Sequence, residues 1–323
     1  MTAPLQTNMQ WAPIDNPHVE RFMNFNKSLI AASAFVALAG AAHAAVETKT
    51  LTTTGVTSSV DSNGYTFSQL SGTGSLNFSS SLITALNLAQ VQVTAVAPAT
   101  VAPTTSTTST GIVRYTSVNA AAPVTSLTSN FDGSTLNVTG VGTAGGALQT
   151  TAKNSATNGP GQLSISNLQV DLTSKIIYAD IVGNSTAVAP AGTNFVYGSV
   201  NLSRYALWSF DSISGPTSFG VNSGTTTIGG QNTITGLFLV NSADIDNIFV
   251  KTLGLNNTGR SGITSVNTRV SSTGVVNTAG FGSILSNISA SVAPVSSVPE
   301  PSTYVLMGLG LVGLGLARRR AAR

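Results

Sequence analysis

The 323-residue sequence contains no cysteine. That excludes disulfides, thiolate nucleophiles, iron–sulfur clusters and cysteine-based zinc sites together. Histidine is scarce as well: His18 and His43 are the only two, and both lie before Ala44. The chain beyond Ala44 therefore has no means to build a Ser-His-Asp triad, a Cys-His dyad, a histidine zinc site or proximal-histidine haem ligation. No Gly-Lys pair exists for a P-loop, and no Gly-x-Ser-x-Gly elbow occurs. Catalytic sites, cofactors and metals are accordingly expected to be absent.

Charge is the next shortage, at 8% of residues. The net charge of +3 and a pI near 9.3 would suggest an anionic partner. Placement along the chain removes that suggestion. Arg318, Arg319, Arg320 and Arg323 are in the tail, with Arg21 and Lys27 near the start; between Ala45 and Ser297, eight basic residues face eight acidic ones. A neutral body has no basic stripe to track phosphates, so nucleic acid is not an expected partner.

Long apolar runs occur only near the two termini. From Met23 the chain reads MNFNKSLIAASAFVALAGAAHA, with Lys27 as a basic n-region and Leu29 to Ala39 as a short apolar h-region. Ala42-His43-Ala44 then supplies the small-x-small step of a signal peptide cleaved after Ala44. This predicts a signal peptide over 23–44. Residues 1–22, with Asp15, Glu20 and three prolines, fit as an upstream mis-assigned start.

At the other end, Val298-Pro299-Glu300-Pro301-Ser302 precedes the apolar stretch Tyr304 to Ala317, and Arg318-Arg319-Arg320 follows it. Fourteen helical residues would span about 21 Å against a hydrocarbon core of about 30 Å, so a transmembrane helix here is short. The arginines orient it with the C-terminus cytoplasmic. Gly308, Gly310, Gly313 and Gly315 lower its helix propensity, an odd choice for a permanent anchor. Motif, Gly/Leu-rich helix and basic cluster, in that order, resemble the PEP-CTERM sorting signal of Gram-negative bacteria over 298–323. The resemblance implies recognition and cleavage by an exosortase after transport by the general secretion machinery. It also implies transient anchoring in the inner membrane and a final place at the cell surface or outside the cell. Such proteins accompany exopolysaccharide production, which makes exopolysaccharide in a biofilm matrix a candidate partner.

The body between alternates apolar with small polar residues, as strands do. The expected class is mainly β, an antiparallel β-sandwich or barrel-like sheet with one or two short helices. The clearest hairpin runs from Gln162 to Asn184: Leu168, Val170 and Leu172 alternate, Thr173-Ser174-Lys175 turns, and Ile177, Ala179 and Ile181 return. Asn63-Gly64 introduces a strand whose Tyr65, Phe67 and Gln69 should share a face. Further strands are expected at 134–141, 194–202, 204–210, 225–230, 233–240, 265–272 and 284–292. Helical spacing marks Leu82, Ala85, Leu86 and Ala89 behind serine caps. It also marks Ile245, Ile248, Phe249 and Leu253, with Ser242 as cap and Gly254 as stop. Ala95 to Gly111, rich in Pro and Thr, reads as a linker or exposed loop between an N-terminal part (45–94) and a main β domain (112–297). Gly140 to Gly145 matches G-x-G-x-x-G, but breakers follow where a helix is needed, so it reads as a turn.

The remaining candidate chemistry rests on Asp132, Asp171, Asp180, Asp211, Asp244 and Asp246. A glycosidase needs two carboxylates across a sugar, and sequence cannot pair these. Asp244 and Asp246 suit a helix start, and a calcium site lacks its oxygen-rich loop. Aromatics, only 6% of the chain, gather in NFVYGSVNLSRYALWSF. Tyr197, Tyr205 and Trp208 are thus the candidate sugar-binding residues, against a reading in which they belong to core strands. The sequence as a whole favours an exported, non-enzymatic structural or adhesive protein. A carbohydrate- or small-ligand-binding module is the alternative, and an acid-pair glycosidase comes third.

Overall fold

The structure is a computed structural model that describes residues 46–52, 59–60, 64–270, 273–295, 307–309 and 311. Contacts separate Met1–Ala44 from Ala45–Arg323, and the description concerns the second unit. The signal peptide, most of the tail helix, the sorting residues and Asn63 of the expected Asn-Gly turn lie outside the described residues. Among the described residues no helix is long and apolar enough to cross a membrane, and 307–309 and 311 are helical.

Among the described residues, sixteen strands form one antiparallel sheet. They are β1 (Glu47–Thr52), β2 (Ser59–Val60), β3 (Tyr65–Phe78), β4 (Gln92–Val96), β5 (Thr100–Thr107) and β6 (Val113–Phe131). Next come β7 (Thr135–Thr143), β8 (Gly146–Thr151), β9 (Gly161–Asp171), β10 (Ile176–Ser185) and β11 (Val200–Ser209). The last are β12 (Ser212–Ser214), β13 (Ser218–Gly220), β14 (Thr227–Thr235), β15 (Phe238–Leu239) and β16 (Gly282–Pro294). The order β12-β14-β16-β3-β6-β7-β9-β10-β11-β15 has two separate ends, so the sheet is open and not a closed barrel.

Its turning point is β6. The first part of this 19-residue strand pairs with β5 and β3, and the part after Pro123 pairs with β7 and β1. Proline contributes no ladder N–H, and the register shifts between Val124 and Ser126, so pairing is interrupted at one point. One strand thereby serves two sheet segments. Two core clusters draw on both segments: Phe67, Phe131, Leu136 and Ile288 in one, and Leu163, Ile177, Leu207, Trp208, Ile234 and Ile284 in the other.

Three helices cover the second cluster. Helix α1 (Ser80–Ala89) begins where the Ser79 side chain accepts the Leu82 N–H at 3.1 Å, and it buries Leu82, Ala85, Leu86 and Ala89 as the spacing predicts. Helix α2 starts with a π-helical segment (Ile245–Val250) and continues as α-helix (Lys251–Leu253), burying Ile245, Ile248, Phe249 and Leu253. It stops at Gly254, whose φ of +64° suits a left-handed cap. Ser242 does not cap it; Asn241 Oδ1 accepts the Ala243 N–H instead.

Other expectations change. Helix α3 (Asn257–Asn267) occupies part of the stretch read as a strand at 265–272. Its glycines and threonines conceal it, but Asn256 caps it by accepting from Thr258 and Gly259, and Ile263 and Val266 are buried. The strand expected at 194–202 begins only at Val200. Much of the Pro/Thr-rich stretch is exposed, and from Thr100 to Thr107 it is the strand β5, paired with β6. Gln69 leaves the face of Tyr65 and Phe67 because its φ is +52°, and burial resumes one residue out of step at Leu70. The Gln162–Asn184 hairpin forms as β9 and β10, with Asp171 Oδ1 accepting the N–H groups of Thr173 and Ser174 in the turn.

Replacing Asn256 with Ala should destabilise the body by about 1 kcal/mol, while Asn256→Asp, which keeps the cap acceptor, should lose less. Urea unfolding of the three proteins measures the difference. Equal stability of Asn256→Ala and wild type would show that the cap contributes nothing.

Candidate functional site

The nominated aromatics fall in three different environments. Trp208 is on β11 opposite Ile177 of β10 and Leu239 of β15. It is 3% exposed and lies 5.8 Å from the Phe281 ring, so it cannot stack on a sugar at the surface. Tyr205, earlier on the same strand, donates its hydroxyl to both carboxylate oxygens of Asp244 at 3.0 and 3.1 Å. Tyr197 lies in the irregular segment before β11, donates to the Leu255 carbonyl at 2.8 Å, and accepts from the Asn158 side chain. The core-strand reading holds for Trp208. Tyr197 and Tyr205 are half-buried and spend their hydroxyls on internal partners.

Burial dominates the titration of these groups. It pushes the Tyr197 hydroxyl up, opposed by the Asn158 hydrogen bond. It also pushes Tyr205 up, with the Asp244 carboxylate acting in the same direction. Asp244 is 1% exposed, and burial holds its carboxyl above the usual carboxylate range although the Tyr205 hydrogen bond pulls it down. It is therefore a buried anchor between β11 and α2, without a side-chain capping bond to the helix.

A solvent-facing cleft lies nearby. Phe195 stacks on Tyr197 with ring centres 5.8 Å apart and planes 13° from parallel. Beside Phe195 opens a polar cleft of about 620 Å³, walled by Asn194, Asp246, Asn247, Lys251 and Arg260. Arg260 grips Asp246 through two hydrogen bonds of 2.6 and 2.7 Å, which lower the Asp246 pKa. The grouping joins an aromatic ring, amides and an ion pair. Sequence reasoning listed Phe195 among the aromatics and Asp246 among the acids but could not join them, because Arg260 comes from a helix that composition conceals.

The other carboxylates have structural partners. Asp132 accepts from the Ser134 and Thr135 N–H groups and the Ser134 hydroxyl, and the Ser134 backbone bond leads in lowering its pKa. Asp211 pairs bidentately with Arg269 at 2.8 Å. Asp180 accepts from the Asn167 side chain and the Arg204 N–H, each at 2.8 Å, which lowers its pKa. Asn167 and Arg204 have φ values of +53° and +49°, an uncommon conformation for non-glycine residues. Register shifts on both sides of β10 fall at this level, so one carboxylate ties two facing irregularities together. Among the described residues, no three His, Cys, Asp or Glu side chains converge as metal ligands. The sorting residues Val298, Pro299, Glu300, Pro301, Arg318, Arg319 and Arg320, and the cleavage residues Ala42 and Ala44, lie outside the described residues.

Asp244 yields a pH prediction. Its carboxyl binds a proton more tightly folded than unfolded, so its contribution to stability falls as pH rises from the ordinary carboxylate value through the raised one. Asp244→Asn keeps an acceptor for Tyr205 without a charge. Relative to wild type, the variant should gain stability as pH climbs through that window towards neutrality. Urea unfolding across a pH series tests this; a constant difference between the two proteins would contradict it.

Comparisons with known proteins bear on the tail. No curated protein matches the chain. A solved structure, the heme-binding protein HtaB from Corynebacterium glutamicum, is similar at a TM-score of 0.34 and 11% identity, with 70% of this chain and 96% of that chain covered. A likeness of that degree carries nothing about function. Residues 297–320 match the PEP-CTERM protein-sorting motif, which implies export and membrane-associated sorting. The chain thus carries the PEP-CTERM protein-sorting motif in its C-terminal tail, consistent with an exosortase substrate.

Proposed function

We propose that this is an exported, non-enzymatic protein that acts as a structural or adhesive component at the cell surface or in the exopolysaccharide matrix. The sorting motif at 297–320 is the observation that carries the reading. In it, the 23–44 segment directs the chain to the general secretion machinery and is cleaved after Ala44. The tail holds the chain briefly in the inner membrane, and an exosortase removes it near Val298-Pro299-Glu300-Pro301.

Two features support a role without catalysis. Beyond Ala44 the chain lacks histidine and cysteine. Asp132, Asp171, Asp180, Asp211, Asp244 and Asp246 are each engaged by a turn, by amides of neighbouring strands, by an ion pair or by a half-buried hydroxyl. Asp171 lines a cleft with Arg204 and Tyr178, and Asp246 lines the cleft beside Phe195; neither has a second carboxylate in its wall. An acid pair for glycoside hydrolysis needs two carboxylates facing one space. Carbohydrate binding is the second reading, favoured by the Phe195 cleft, where a ring meets amides and charged groups.

Intact-mass analysis of the protein released from its native cells tests the sorting route. The expected species begins after Ala44 and lacks Arg318 to Arg323, and it should be depleted in cells without an exosortase. Released protein that retains those arginines would overturn the reading. Replacing Pro299, Glu300 and Pro301 with alanine should leave the tail attached and the protein in the membrane fraction.

A further inference from the structure

The segment of sheet formed by β3 and β16 and the segment formed by β7 and β9 enclose apolar space that the sorting role does not use. A cavity of about 70 Å³ is lined by Leu76, Phe78, Leu82, Trp208, Phe249 and Phe281 among others. A second, of about 50 Å³, is lined by residues including Val138, Ile213, Phe219, Ile228 and Asn232. Gly74, Thr143, Val170 and Ile284 line both, so the two abut. Each exceeds the roughly 10–15 Å³ that admits one water molecule. No charged side chain lines either space.

Two observations indicate that the space receives a ligand. Among the described residues, three buried side-chain atoms lack a hydrogen-bond partner, and two of them belong to residues of these walls: Trp208 Nε1 and Asn232 Oδ1. A buried donor left unpaired costs about 1–3 kcal/mol. A trapped water would need two to four polar partners, whereas the other polar side chains of the first wall are Gln149 and Thr143, and the Thr143 hydroxyl is turned to the Leu168 carbonyl. The second observation is Gly74. A Cβ built there would meet only the Thr143 methyl, at 3.5 Å, whereas one at Gly72 on the same strand would strike the Asn287 carbonyl at 2.3 Å. Nothing in the backbone requires glycine at 74, and glycine inside a strand costs about 0.5–1 kcal/mol relative to alanine. Its effect is to keep the joint between the two cavities open.

We infer that the paired cavities bind a slender, neutral aliphatic molecule whose oxygen acceptor meets the Trp208 indole N–H. Apolar walls with a few placed polar groups are the usual form of a small-molecule site. An ionised head group is disfavoured, because one N–H cannot compensate the burial of a full charge. A ketone, ester or alcohol on an alkyl chain meets both requirements.

The test uses the purified full chain in detergent-free buffer, with octanone as the probe and octane and octanoate as controls. The indole N–H resonance of Trp208 is the one lost in Trp208→Phe. Octanone should shift it downfield and raise the melting temperature. Octane should raise melting without the downfield shift, and octanoate should do neither. Trp208→Phe, which keeps the walls apolar, should weaken octanone about fivefold, the equivalent of about 1 kcal/mol for one hydrogen bond, and leave octane unchanged. Gly74→Leu should fill the joint, raise the melting temperature of the free protein and abolish the octanone response. An indole resonance unmoved by saturating octanone would overturn the proposal, as would an octanone response that survives in Gly74→Leu. A Gly74→Leu chain that melts well below wild type would also overturn it, because the joint would then hold no free space. The wild-type resonance decides the matter independently of either variant.

Discussion

One strand that belongs to two sheet segments is the constraint on which the body depends. Because β6 pairs with β3 and β5 before Pro123 and with β7 and β1 after it, both cores are built from the same piece of backbone. The pairs are also distant in sequence: β3 meets β16, and β1 meets the far half of β6. No local stretch can bury its apolar face by itself, so the sheet forms cooperatively or not at all. Without disulfides, stability has to come from this pairing and from the apolar surface it covers.

Left-handed residues set the finer geometry. Gln69, Asn167 and Arg204 are polar and have positive φ. Each lies where a strand changes the face its side chains occupy, as when Leu163 and Ile165 give way to Leu168 and Val170 around Asn167. Their side chains are used as well: Gln69 accepts from Ser291, Asn167 donates to Asp180, and Arg204 reaches Gln169. Backbone strain and polar contacts thus occur together at these three points of the ladder.

This explains how much could be read beforehand. Alternation gave the β9–β10 hairpin because the period of two holds on both sides of its turn, from Leu168 to Leu172 and from Ile177 to Ile181, and helical spacing gave α1 and α2. It gave the face of Tyr65 and Phe67 but not the slip at Gln69, since a one-residue irregularity resembles noise in a period of two. Helix α3 was hidden by the low propensity of its glycines and threonines. The aromatic stretch did not resolve into Trp208 inside, Tyr205 on a buried aspartate and Tyr197 bonded to Leu255 and Asn158. That division depends on where β11 starts and how it bends. The tail motif was legible in full because it is contiguous and needs no fold to be recognised.

The two outermost strands of the sheet, β12 and β15, are three and two residues long. A chain with so few charges has little electrostatic repulsion to keep neighbouring molecules apart, and an exposed sheet margin is where like molecules join. These two margins are too short to template another strand; the longer margin is β5, eight residues paired on one side with β6 and interrupted by Pro103. In a hydroxyl-rich, nearly neutral body, edge geometry in place of charge has to limit strand-to-strand joining, and the proline in β5 guards the margin most open to it.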